Sequence, residues 1–150
     1  MHALIEVLAV ALAALSGAAA LVGAWAWWQV RPVRVFWPLV RASQVCAGVL
    51  AVCAGVGVAL GHRPDDALFF VYALTPVAVG FFAEQLRAIS AAGVLEARGL
   101  ADAKAVGALP DAEQRSVVVA ILRREMGVMA LAAAVTCFLA LRALATVSGF

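Results

Sequence analysis

The chain has 150 residues, of which 66% are hydrophobic and only 13% are charged, and its formal net charge is +2. Soluble domains contain about 45–50% apolar and about 25% charged residues. This composition therefore excludes an ordinary soluble globular domain and predicts an all-α protein embedded in a membrane.

The first predicted element is an apolar helix over residues 4–28. No formal charge stands between Glu6 and Arg31, and about 20 apolar residues are enough to cross a bilayer. The Met1-His2 flank is not a basic leader, and the apolar run is longer than the core of a signal peptide. We interpret this segment as a retained transmembrane helix.

Two further helices follow, over residues 35–61 and 67–98. The turn at residues 31–34 contains a proline and separates the first pair, while residues 61–66 separate the second pair, with Asp66 as an expected N-cap. Pro76 is expected to kink the third helix, and the Thr75 hydroxyl is expected to satisfy the carbonyl that the proline leaves free. Gly99 is a plausible stop for this helix.

The last predicted helix covers residues 111–146. Asp111 is its expected N-cap, and Gln114 stands where the partner of a capping box belongs. No helix breaker follows before Gly127, so the helix is expected to begin in the cytoplasm and continue into the membrane. The sequence thus predicts one domain over residues 1–150: four transmembrane helices in an up-down bundle, with a cytoplasmic helical hairpin at about 87–124.

The distribution of Lys and Arg predicts the orientation, because cytoplasmic segments carry an excess of these residues. Nine of the 11 flank or fill two connections, and the other two are Arg63 and Arg142. The nine are expected inside, with both termini, Met1 and Phe150, outside. A belt of Trp27, Trp28 and Trp37 is then expected at the inner interface. The preference for Arg over Lys indicates a GC-rich genome, hence a bacterial cytoplasmic (inner) membrane.

Polar residues gather at the inner ends of the predicted helices. Charges at membrane depth must pair or reach the interface, and Arg41 is expected to pair with Glu84 because their depths match. Such a cluster either fixes the helix register or lines the inner mouth of a transporter. Its members are Arg41, Gln44, Glu84, Arg87, Arg123, Arg124 and Glu125.

Small residues at four-residue spacing predict close helix packing. On the first helix Gly17 follows Ala9 and Ala13. On the second helix the small residues are Ala47, Ala51, Gly55 and Ala59. We interpret both stripes as packing within the chain, and self-association of protomers is the alternative.

A weaker candidate site lies at the outer end. His2 and Glu6 are one helical turn apart, and His62 comes from the neighbouring helix end, followed by Asp65 and Asp66. Imidazoles with carboxylates suit a transition metal, and two histidines suit a haem. The sequence contains no Ser-His-Asp order, phosphate-binding glycine loop or HExxH motif, so no catalytic residue is predicted.

Three classes of function remain. The leading hypothesis is a non-catalytic subunit or scaffold of a membrane assembly, with no cofactor. The first alternative is a homo-oligomeric small transporter or channel. The second is a haem- or metal-binding redox protein that uses His2 and His62. The expected partners are the lipid bilayer and either further copies of the chain or other membrane subunits. The basic inner rim is expected to meet anionic lipid headgroups rather than nucleic acid.

Overall fold

The computed structural model describes residues 2–62 and 66–146, and 86% of these described residues are helical. The five helices of the described part are α1 (His2–Gln29), α2 (Phe36–Ala59), α3 (Leu68–Ala97), α4 (Ala103–Gly107) and α5 (Asp111–Ala145). The sequence did not predict the short α4. Arg63, which was expected on the outer side, Asp65 of the outer candidate site, and the two termini, Met1 and Phe150, lie outside the described residues.

Four of these helices, α1, α2, α3 and α5, are long and apolar enough to cross a membrane. They suggest a multi-pass membrane protein. Large apolar side chains are exposed on each of them, for example Leu21, Val45, Val71 and Leu131. The buried residues, in contrast, are mostly small.

The buried positions of the long helices follow a regular spacing of alternating four and three residues. In α2 they are Phe36, Val40, Ser43, Ala47, Leu50, Ala54 and Gly57. The spacing recurs in α1 from Ile5 to Ala26 and in α5 from Met126 to Ala143. A repeat of 3.5 residues keeps one face of each helix against its neighbours and is typical of left-handed helical bundles.

This repeat corrects the predicted packing stripe on α2. Ala47 is buried and Ala51 is half-buried, but Gly55 and Ala59 are exposed. A Cβ atom added at Gly55 would have no neighbour within 4 Å. Residues four apart advance about 40° beyond a full turn at 3.6 residues per turn, so a strict four-residue stripe drifts off the core face. Gly17 does pack within the chain, since an added Cβ there would lie 3.3 Å from Cys137 Sγ.

The long helices alternate in direction. One core cluster joins Ile5, Ala54, Phe69 and Ala143, and a second joins residues from the other ends of the same helices, including Ala26 and Phe36. We call the second cluster's end, where α1 connects to α2, the basic end. Nine of the 11 Lys and Arg residues lie at or beyond it.

At the basic end the third connection forms an ordered hairpin. Gly99, with φ +68°, ends α3, and the Leu100 amide bonds the Leu95 carbonyl at 2.9 Å, which is a Schellman motif. The Asp102 carboxylate caps α4 by accepting from the Ala105 amide. The Arg98 guanidinium bonds the Ser116 hydroxyl across the hairpin, so the start of α5 is held against the end of α3.

Three predicted caps can be compared with the structure. Asp66 accepts a hydrogen bond from the Leu68 amide, at the start of α3. The prediction for Asp111 is wrong, because the extended Pro110 occupies the N-cap position and Asp111 is already helical. Gln114 therefore does not complete a capping box. Its amide instead donates to the carbonyls of Gly107 and Leu109.

Pro76 lies inside α3 and is buried. The Thr75 hydroxyl donates to the Val71 carbonyl at 2.5 Å. A proline leaves free the carbonyl four residues before it, which is that of Tyr72. The predicted role of Thr75 in satisfying this carbonyl is therefore wrong.

Candidate functional site

The predicted ion pair between α2 and α3 is present. Arg41 Nη1 lies 2.8 Å from Glu84 Oε1 and donates to Gln44 Oε1 at the same distance. Gln44 Nε2 donates to Glu84 Oε1 at 3.0 Å. The three side chains form a closed triangle of hydrogen bonds, in which one carboxylate oxygen accepts from both helix α2 residues.

The network continues to α5 through Arg87. Its Nε donates to the second oxygen of Glu84 at 3.1 Å, and its Nη1 lies 4.0 Å from Glu125 Oε2. The guanidinium also lies over the Trp37 ring, 5.2 Å from the centroid. We call Arg41, Gln44, Glu84, Arg87 and Glu125 the charge network. It joins three helices and contains two positive and two negative groups, so it is neutral as a whole.

Sequence spacing explains the local geometry of the network. Arg41 and Gln44 are three residues apart on α2, as are Glu84 and Arg87 on α3, and residues at this spacing face the same side of a helix. The carboxylates are the better shielded members: the side chains of Glu84 and Glu125 are 25% and 17% exposed, whereas that of Arg41 is 54% exposed. Long arginine side chains can keep their charge near water while their stems cover apolar surface.

Two of the predicted site residues do not join the network. Arg123 lies over the Trp27 ring, 5.3 Å from the centroid, and Arg124 Nη1 would lie 3.7 Å from a Cβ atom added at Gly93 of α3. Both are exposed, and within residues 2–62 and 66–146 neither makes an ion pair. Five of the seven predicted residues therefore form the charge network, and the other two, Arg123 and Arg124, lie apart from it.

A groove with mostly apolar walls adjoins the charge network between α2 and α3. It has a volume of about 230 Å³ and is lined by Gln44, Pro76, Val77, Gly80, Phe81 and Glu84. Gly80 faces Gln44 across this groove, and a Cβ atom there would be in ordinary van der Waals contact, 3.6 Å from Gln44 Cγ. Behind Gln44 a small cavity of about 20 Å³ reaches Ser43 and Thr136 inside the bundle, which is enough for about one water molecule.

Sequence reasoning missed several members of this region. Trp37 was assigned to the interfacial belt, and its contact with Arg87 depends on how α2 and α3 pack. Ser43 and Thr136 were not singled out, although both fall on the buried repeat of their helices. The signal that could have found them is a hydroxyl residue at a core position of the 3.5-residue repeat.

The outer candidate site is only partly assembled. His2 Nδ1 lies 3.6 Å from Glu6 Oε2, as their spacing predicts. Among the described residues no hydrogen bond or ion pair joins His62 to either of them. Within the same part of the chain no group of three or more His, Cys, Asp and Glu side chains is placed to hold a metal ion.

Comparison of this chain with protein-family models, with curated proteins and with solved structures found no match. The arguments for function therefore depend on the geometry described above. That geometry comprises a neutral charge network, a groove beside it that Gln44 and Glu84 border, and an ordered hairpin beyond it.

Proposed function

We propose that this chain is an integral subunit or scaffold of a membrane assembly, anchored by its four long helices and coupled to a partner through its hairpin. The observation that carries the proposal is helix length. At 1.5 Å per residue, the 35 residues of α5 extend about 52 Å and the 30 residues of α3 about 45 Å. A bilayer core is about 30 Å thick, so both helices continue well beyond it.

Insertion in a membrane is supported by the surface of the bundle. Leu21, Val45, Val71 and Leu131, one from each long helix, are each more than half exposed. Apolar surface this extensive is unusual on a soluble monomer. The accumulation of Lys and Arg at the basic end supports a cytoplasmic location for the hairpin, in a cell membrane with both termini outside.

The hairpin has the properties of a docking element. Its backbone is held by the Asp102 cap and the Arg98–Ser116 hydrogen bond. On its surface Val118 and Val119 are exposed beside Arg115, around a concavity of about 490 Å³. Exposed apolar residues next to a charged rim are characteristic of protein interfaces.

Site-specific photocrosslinking in cells tests the coupling role. A photoreactive residue at Val118 should give one discrete covalent product, and Arg115→Glu should remove it while the chain stays in the membrane. A photoreactive residue at Leu131, on the lipid-facing side of α5, is the matched control and should give no such product. A lack of any discrete product from Val118 would contradict the docking role.

Cysteine labelling tests the orientation. In a chain whose three native cysteines are replaced by alanine, a cysteine at Ala103 should react with an impermeant maleimide only after the cells are permeabilised. Labelling at Ala103 in intact cells would reverse the orientation and would place the hairpin outside.

One observation favours a second candidate function, a homo-oligomeric transporter or channel. Polar groups lead from the exposed Arg41 through Gln44 to the buried Ser43 and Thr136. Ion or solute flux into liposomes containing only this chain, abolished by Gln44→Leu, would favour transport over the scaffold role. The redox alternative predicts a Soret band or bound metal in the purified chain, lost on His2→Ala or His62→Ala.

A further inference from the structure

Two cavities meet on the α1–α5 side of the bundle, away from the charge network. The first has a volume of about 460 Å³ and is apolar, with Ala20, Ala24, Gly127, Ala130, Leu131 and Ala134 in its walls. The second, of about 490 Å³, is bordered by Arg123 and Arg124. Trp27 lines both. We call the two together the α1–α5 groove.

The length of the α1–α5 groove matches one leaflet of a bilayer. From Arg123 to Ala134 is 11 residues along α5, or about 16 Å at 1.5 Å per residue. The hydrocarbon core is about 30 Å thick, so the groove reaches from the interface to about its middle. A transmembrane helix of a second chain would require a contact face that runs through both leaflets, whereas the acyl chain of a lipid lies in one leaflet.

The charges at the mouth of the groove are free to bind a ligand. Among the described residues neither Arg123 nor Arg124 has a carboxylate partner, while Arg41 and Arg87 are neutralised by Glu84 and Glu125. The Arg123 guanidinium is held over the Trp27 ring, at the boundary between the two cavities. Guanidinium groups bind phosphate oxygens with two parallel hydrogen bonds.

From this arrangement we infer a binding site for one anionic phospholipid. Its phosphate headgroup binds Arg123 and Arg124, and one acyl chain lies in the apolar part of the groove past Trp27. The site rests on the membrane insertion proposed above, and it adjoins the docking face of the hairpin, because Val119 lines a cavity on each. Neutral phospholipids offer the same acyl chain without the net negative charge, so the site is selective for anionic headgroups.

Native mass spectrometry of the purified chain tests this site. The chain is incubated with equimolar dioleoyl-phosphatidylglycerol and dioleoyl-phosphatidylcholine, which differ only in the headgroup. We expect one phosphatidylglycerol per chain, retained about tenfold over phosphatidylcholine. Arg123→Gln with Arg124→Gln should remove the selectivity. Ala24→Leu with Ala134→Leu, which fills the groove from two exposed positions, should lower the retention of both lipids about tenfold.

A charge-matched control separates a site from general electrostatic attraction. Lys104→Gln with Arg115→Gln removes two positive charges from the hairpin, outside the groove, and should leave retention unchanged. An equal loss of selectivity in this control would overturn the site, as would normal retention in the groove-filled variant. Loss of a dimer rather than of lipid on filling the groove would assign it to a second copy of the chain and also overturn the lipid site.

A separate measurement distinguishes failure of this site from failure of membrane insertion. Release of the chain from membranes by alkaline carbonate would contradict insertion itself. Retention in carbonate-washed membranes together with equal retention of the two lipids would contradict only the phospholipid site.

Discussion

The α2–α3 side and the α1–α5 side of the bundle differ in how their helices pack and in how their charges are paired. On the α2–α3 side, Glu84 neutralises arginines on two helices and borders a small groove. On the α1–α5 side, the helices approach through glycine and alanine, and the arginines at the mouth have no carboxylate partner among the described residues. Charge is satisfied within the chain on one side and is available to a ligand on the other.

In the bilayer proposed for this chain, the difference bears on what holds helices together in an apolar solvent. Lipid is as apolar as a leucine side chain, so association depends on close packing and polar contacts rather than on burial of apolar area. The α2–α3 side relies on polar contacts, and the α1–α5 side relies on close approach. Substitutions on the two sides should therefore fail by different mechanisms.

The largest effect is expected where α1 packs closely against both α2 and α5. A Cβ atom at Gly23 would lie 2.5 Å from Phe36 Cε2 and 2.8 Å from Ala130 Cβ. Both neighbours are buried, so Gly23→Ala should overpack the core and lower the free energy of unfolding in detergent by about 3 kcal/mol. Gly55→Ala, where an added Cβ meets nothing within 4 Å, is the control and should be neutral or stabilising. A neutral Gly23→Ala would show that the helices do not approach this closely.

The next largest effect is expected in the charge network. Glu84→Gln leaves Arg41 and Arg87 facing a neutral amide, and should lower the free energy of unfolding by about 2 kcal/mol, the range for hydrogen bonds to charged groups. Glu96→Gln, on the exposed face of the same helix, is the control and should change stability little. Circular dichroism during unfolding in detergent measures both. Equal effects of the two substitutions would mean that the charge network adds no stability to the α2–α3 side.

The sequence was sufficient to predict what depends on local patterns. Charge-free blocks predicted the four long helices, and matched depth predicted the Arg41–Glu84 pair. The stripe predicted from Ala47 to Ala59 does not pack within the chain along its full length. Small residues recur every four positions in this sequence, but burial follows the 3.5-residue repeat.

The contacts between helices could not be read from the sequence. The position of Arg123 over Trp27 rather than beside Glu84 depends on which helices are neighbours and how each is rotated. Arg87 and Arg123 have the same charge and a similar depth, so their sequence positions did not distinguish a paired arginine from a free one. The two cavities could not be predicted from the sequence either, because they exist only between packed helices.

A smaller effect is expected from the coupling within the α2–α3 side. The Arg41 side chain is 54% exposed, so water and lipid headgroups screen its attraction to Glu84. In a double-mutant cycle, Arg41→Ala and Glu84→Ala should show a coupling of about 0.5–1 kcal/mol. The double variant should therefore lose less stability than the two single losses combined. Strict additivity would mean that the 2.8 Å contact contributes no net stability.

An effect of the same small size is expected at the mouth of the α1–α5 groove, where α1 ends on a strained residue. Val30 has φ +55°, and the Arg31 amide bonds the Ala26 carbonyl at 3.2 Å. This is the helix-ending geometry that Gly99 adopts at the end of α3, and glycine is its usual residue. A left-handed conformation costs roughly 1–2 kcal/mol in a residue with a Cβ atom. Val30→Gly removes that cost but also loses side-chain contacts and increases the freedom of the unfolded chain.

A second variant, Val30→Ala, separates the strain from the lost contacts. Val30→Ala loses most of the same contacts and keeps the strain, so Val30→Gly should be more stable than Val30→Ala by about 0.5–1 kcal/mol. At the relaxed end of α3, Gly99→Ala should introduce the same strain and lower stability by a similar amount. Thermal unfolding of Val30→Gly, Val30→Ala and Gly99→Ala, each compared with the unchanged chain in one detergent, measures both differences. If Val30→Ala were at least as stable as Val30→Gly, the end of α1 would not be strained. The contacts of Val30 in the groove would then be enough to explain a valine at this position.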